Sequence, residues 1–116
     1  MDLASPLAKP LLAAGLAEYR GGRFWHAHER WETLWRQLAA PEKAWVQGLI
    51  LLAAAAWHLE REREPVARRL LALAAVRLTA CPALPELPGA SELAGRAAAA
   101  AKSVTLRLPP VRLGAG

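Results

Sequence analysis

The amino-acid sequence predicts an all-α fold, a small antiparallel bundle of about four to five helices with an extended C-terminal tail. Alanine and leucine supply about two-fifths of the 116 residues, while valine and isoleucine are scarce. Helix propensity is therefore high throughout and strand propensity low. Prolines and glycines cut the chain into helix-length pieces. The length suits one domain with a single core: a core over about 7–80, a Pro-rich connector over 81–90, a short helix over about 91–102 and a tail over 103–116.

Ser5-Pro6 and Pro10 punctuate the start of the first helix, and Leu11, Leu12, Leu16 and Tyr19 recur at near-helical spacing until Gly21-Gly22, which bounds it at about 7–20. From Phe24 to Ala39 the apolar residues Phe24, Ala27, Trp31, Leu34, Trp35 and Leu38 form the stripe of an amphipathic second helix. Pro41 breaks it and opens a third helix, which runs to about Glu62 and is apolar nearly all round, so it must be covered on several sides. Pro65 starts a fourth helix with Val66, Leu70 and Leu73 on one face, ending near Ala80. Pro82, Pro85, Pro88 and Gly89 stiffen the connector, and Ser91 is placed as N-cap of the last helix. Short connections favour antiparallel packing, and two helical hairpins without a periodic signature do not make a repeat array.

Several classes of function are excluded or set aside by composition. The most apolar run, Ala44–Leu59, has 16 residues and contains Gln47 and His58, short of the ~20 that cross a bilayer. A lone cysteine, Cys81, forms no internal disulfide, and with no signal pattern at the start the expected compartment is the cytoplasm. The net charge of +5 favours anionic partners without naming one. An arginine-rich, asparagine-free composition is compatible with a thermostable protein.

One polar constellation stands out inside the apolar core. At ~100° per residue, His28 lies within the Phe24, Trp31, Trp35 stripe, and Glu32 follows one turn on at its edge. Imidazole and carboxylate at i and i+4 make half of many zinc, iron or manganese sites, and equally make a hydrogen-bonded pair that fixes packing. On the third helix Gln47 and His58 share a face with Leu51 and Ala54, within about 40° of one another. If the second and third helices pack antiparallel about Pro41, Ala53 and Ala54 come opposite His28, and Gly48 opposite Thr33. His58 then sits about a turn beyond His28, and Gln47 fits beside Glu32. Trp31, Trp35 and Trp45 sit at core spacing, whereas Trp25 and Trp57 rim the bundle. His26 points about 160° away from His28, to the surface.

The stretch Gly22 to Trp35, followed by Val46-Gln47-Gly48-Leu49-Ile50 and Ala56-Trp57-His58-Leu59, resembles the bacterial and archaeal domain of unknown function family numbered 309. That family's marker, His, three residues, Glu, two residues and an aromatic, falls here on His28, Glu32 and Trp35. The resemblance covers about residues 10–80. It implies an all-helical fold and suggests metal binding by the His and Glu. The family's frequent Gly-Asn turn after the third helix is replaced here by Glu60-Arg61-Glu62-Arg63-Glu64.

Known enzyme signatures are missing. Glu32 stands where the zinc-protease pattern needs its second His, the di-iron Glu-x-x-His pair is absent, and no phosphate-cradling glycine loop occurs. One function follows from His28, Glu32 and His58 converging on a divalent metal ion, completed by Glu29 or water, with Glu29 a candidate proton acceptor if the ion activates a water. The other is a non-enzymatic interaction module whose polar cluster is structural and whose Trp or Arg surface engages a protein, with a homodimer favoured. Nucleic acid ranks below both: Arg61, Arg63, Arg68, Arg69, Arg77, Arg96, Lys102, Arg107 and Arg112 would contact it, yet Glu60, Glu62 and Glu64 interleave with them, and Glu64 is spaced to pair with Arg68.

Overall fold

In the computed structural model, which describes residues 1–79, 90–103, 106 and 109–110, the chain forms five helices and, among the described residues, no strand. They are α1 (Ala8–Arg20), α2 (Phe24–Trp35), α3 (Glu42–Glu60), α4 (Glu64–Thr79) and α5 (Ala90–Lys102). Each packs on its neighbour in sequence, and the α3–α4 interface is the most extensive. α3 buries residues on several sides, from Trp45 and Val46 through Leu52 to Ala56, as its near-uniform apolarity requires. None of the described helices is long and apolar enough to cross a membrane.

α1 and α3 end in the same six-residue closure. At the end of α1, Arg23 N–H donates to the Glu18 carbonyl (2.9 Å) and Gly22 N–H to that of Tyr19 (3.0 Å), with Gly22 at φ +77°. At the end of α3, Arg63 N–H donates to the His58 carbonyl (3.0 Å) and Glu62 N–H to that of Leu59 (3.0 Å), with Glu62 at φ +59°. This is the Schellman pattern, whose left-handed residue is usually glycine; α3 places a glutamate there.

Three boundaries differ from the sequence expectation. α2 stops at Trp35 instead of Ala39: after Arg36 the backbone leaves the helical hydrogen-bond pattern well before Pro41. Gln37 and Leu38 N–H groups instead close tight turns onto Leu34 and Trp35, and Leu38 remains buried, 5% exposed. α3 ends two residues early, at the closure just described. α5 opens at Ala90, so Ser91 falls inside its first turn and is not the residue before it, within the latitude of helix ends.

Close approach is bought with small residues at two places. A Cβ on Gly15 would lie 2.1 Å from Trp31 Nε1, so α1 passes directly over that buried ring. A Cβ on Gly48 would lie 2.6 Å from Leu78 Cγ; Gly48 therefore serves the α3–α4 interface, and not an approach to Thr33 as the antiparallel register suggested. Arg68 ties α4 to the C-terminal end of α5: it donates to the carbonyls of Ala101 (3.2 Å) and Ser103 (2.6 Å) and pairs with Glu64 (2.7 Å). Of the tail, Leu106 packs against the core and the Pro109 carbonyl accepts the Tyr19 hydroxyl at 3.1 Å. The connector, Cys81 and the rest of the tail lie outside the described residues.

Candidate functional site

The N-terminal turns of α2 meet the C-terminal turns of α3, and between them lies a pocket of about 180 Å³. α2 contributes Phe24, Trp25 and His28; α3 contributes Ala53, Ala54, Trp57 and His58. Both sets repeat at one-turn spacing, which puts each on a single helix face. The Ala pair leaves the space that a larger side chain would fill. Trp25, half exposed, stacks parallel to the His28 imidazole (centroids 5.3 Å apart, planes at 1°) and lies 5.8 Å from Trp57. Trp57 meets His58 edge-on at 5.0 Å. Above Trp57 the Arg61 guanidinium sits 3.6 Å from the ring centroid, with Arg63 at 5.9 Å, distances typical of cation–π contact.

Two polar atoms in this apolar setting lack partners within the protein. Nδ1 of His28 and Nδ1 of His58 are both buried without a hydrogen bond. Glu32 Oε2 lies 3.4 Å from His28 Nδ1 but is not aligned to bond it, and Oε1 of the same carboxylate accepts from Arg36 at 2.9 Å. Glu29 is exposed and accepts from Trp25 Nε1 at 3.0 Å, which steadies the outer wall. The His58 imidazole titrates below its ordinary value, first because burial disfavours the cation and then because Arg63 and Arg61 repel it.

Of the residues singled out in the sequence, the pocket gathers Phe24, His28 and His58. Glu32 lies beside His28 but not in the lining; one turn on, Arg36 takes its other oxygen. Among the described residues, no group of three or more His, Cys, Asp or Glu side chains is gathered to hold a metal ion, so the expected convergence of His28, Glu32 and His58 on one ion is not what the geometry displays. Gln47 is half-buried on α3 outside the lining, Trp31 is fully buried beneath α1, and Trp35 is covered by Lys43, 4.4 Å from its ring. His26 is exposed, as its position on the helix implied. Sequence reasoning put Trp25 and Trp57 on the rim but did not see that they wall a pocket. Their places, three residues before His28 and one before His58, carried that signal.

A family model described as Domain of unknown function (DUF309) matches residues 12–70. No curated protein and no solved structure matches the chain. The matched segment takes in just over half of the 116 residues, from α1 into α4, and includes every residue that lines the pocket. The chain belongs to the DUF309 family.

Proposed function

We propose that this chain binds a small, flat organic molecule in the pocket between α2 and α3. The reading rests on one observation: two histidines and three aromatic side chains line a single pocket. The two imidazoles are the polar groups a ligand there would meet, against otherwise apolar and aromatic walls. An apolar cavity of about 150 Å³ holds benzene, so about 180 Å³ admits one six-membered ring. Phe24, Trp25 and Trp57 offer ring faces and edges to it.

The test is an NMR screen of single-ring fragments against the ¹³C-labelled histidine and tryptophan side chains. Binding should move the His28, His58, Trp25 and Trp57 signals together, and Ala54→Leu, which fills the pocket, should abolish it. Fragments that move none of these signals, or that bind Ala54→Leu equally well, would refute the reading.

A second reading, binding of a divalent ion by His28 and His58 with water completing the shell, is favoured by the two imidazoles lining one pocket, since imidazole ligates in its neutral form. Elemental analysis of untagged protein and of His28→Ala decides it: stoichiometric metal lost in the variant supports it, and metal-free wild type removes it.

A further inference from the structure

We infer that the ligand of this pocket is a ring bearing a carboxylate, with the ring between the tryptophans and the carboxylate at the mouth beside Arg61 and Arg63. This rests on the small-molecule reading and adds to it the ligand's charge and orientation. The walls themselves offer a charge nothing but imidazole: Phe24, Trp25, Trp57 and the two alanines are apolar. A charged group on the ligand therefore belongs at the mouth, where water and the guanidinium groups solvate it. The volume fits this division, because space for one ring is used up by the ring.

The sign of the charge follows from what surrounds the mouth. The Arg61 guanidinium sits over Trp57, 3.6 Å from its ring centroid, and donates to the Trp57 carbonyl at 3.0 Å. Arg63 is fixed by its backbone bond to the His58 carbonyl, in the turn that Glu62 closes. Both arginine side chains are exposed. The Glu29 carboxylate is bonded to the indole N–H of Trp25, on the α2 wall, and Glu64 pairs with Arg68, whereas the α3 wall at Trp57 carries both guanidinium groups, 3.6 and 5.9 Å from its ring centroid. The His58 imidazole lies close enough to both arginines to feel them: burial first, then Arg63 and Arg61, lower its affinity for a proton. Two guanidinium groups beside the Trp57 wall of an aromatic pocket select an aromatic carboxylate over its uncharged isostere.

Benzoate and benzamide are matched in shape and differ in charge, so titrating both into the full chain while following the histidine and tryptophan signals separates the two levels of inference. Benzoate should bind at least about tenfold more tightly than benzamide, and the gap should close with added salt and in the Arg61→Gln, Arg63→Gln double variant. Equal binding of the two, or tighter benzamide, overturns the carboxylate inference and leaves the small-molecule pocket standing. Neither probe reaching the pocket signals overturns both. Because the wild-type comparison alone decides the sign, the inference remains testable even if the double variant folds poorly.

Discussion

Replacing Gly15 by alanine would place a methyl group 2.1 Å from Trp31 Nε1, 2.3 Å from its Cδ1 and 2.6 Å from its Cε2. Relief requires the indole to move by more than an ångström, yet Trp31 is 0% exposed, lies 5.9 Å from the Tyr19 ring, and donates its N–H to the Leu12 carbonyl at 3.2 Å. Overpacking of this kind costs typically 1–3 kcal/mol, and an indole N–H left buried without its acceptor adds about 1–3 kcal/mol. Against this stands the helix-propensity gain of Gly to Ala, ~1 kcal/mol. The expected net is a destabilisation of about 3 kcal/mol, a fall in melting temperature on the order of 12 °C for a chain of this size. Gly95 on α5 is the internal control: nothing lies within 4 Å of its added Cβ, so Gly95→Ala should stabilise by roughly 0.5–1 kcal/mol. Urea unfolding of both variants, read by circular dichroism, makes the comparison. Should Gly15→Ala match the wild type or follow Gly95→Ala upward, α1 does not ride on Trp31 as described.

Glu62→Gly should raise stability by roughly 0.5–1 kcal/mol in urea unfolding, because glycine removes the left-handed strain at φ +59° and gives back part of that in chain entropy; Glu62→Ala should bring no such gain. Tyr19→Phe deletes the hydroxyl that holds the Pro109 carbonyl and should cost ~1 kcal/mol. Burial raises the Tyr19 phenol above the usual tyrosine range, so the unfolded chain ionises first as pH rises above about 10 and stability falls there; thermal melts should show this dependence reduced in Tyr19→Phe. The His58 imidazole is shifted in the opposite sense for stability. Its folded form takes up a proton only below the unfolded value of about 6.5, so its contribution is complete above that pH and is lost as pH drops from there towards the folded value. Melts between pH 5 and 8 should show a shallower acid limb in His58→Gln; identical limbs would dismiss the shift.

Periodicity carried the helices because it depends on neighbours along the chain. The α2 stripe, the wrap-around apolarity of α3 and the spacing of Glu64 to Arg68 all reappear in the structure. α2 was read four residues too long because Ala39 and Ala40 favour helix by propensity, whereas the chain already tightens into three-residue turns at Gln37 and Leu38. In the site, the meeting of His28 with Ala53, Ala54 and His58 was legible from register alone. The direction of Glu32 was not: a carboxylate at the edge of a stripe turns by rotation about its own bonds, and Arg36 one turn on decides which way. Gly48 was assigned to the wrong neighbour for a related reason. Its face of α3 is one of several that are covered, and sequence does not say whether α2 or α4 covers it.

The two Schellman closures connect those local signals to the pocket. The first, at Gly22, ends α1 and starts α2 one residue before Trp25, so the turn sets where the outer wall begins. The second takes the His58 carbonyl as its acceptor and holds Arg61 and Arg63 on either side of a left-handed Glu62. α2 and α3 run antiparallel, so these turns come to the same end of the helix pair, and both shape the same cavity. Gly22 adopts its conformation at no steric cost, whereas a side chain at φ +59° costs about 1–2 kcal/mol. Gly-Asn in this turn, as the family resemblance implies elsewhere, would avoid that strain. Here the strain is carried at the mouth of the pocket, beside the arginines assigned to the ligand's carboxylate, where strained backbone tends to mark a functional segment. Stability and binding separate at this turn: in Glu62→Gly the fold should gain and benzoate affinity should not, since glycine frees the very turn that fixes Arg63. A variant both more stable and tighter in binding would show that the turn's rigidity contributes nothing to the site.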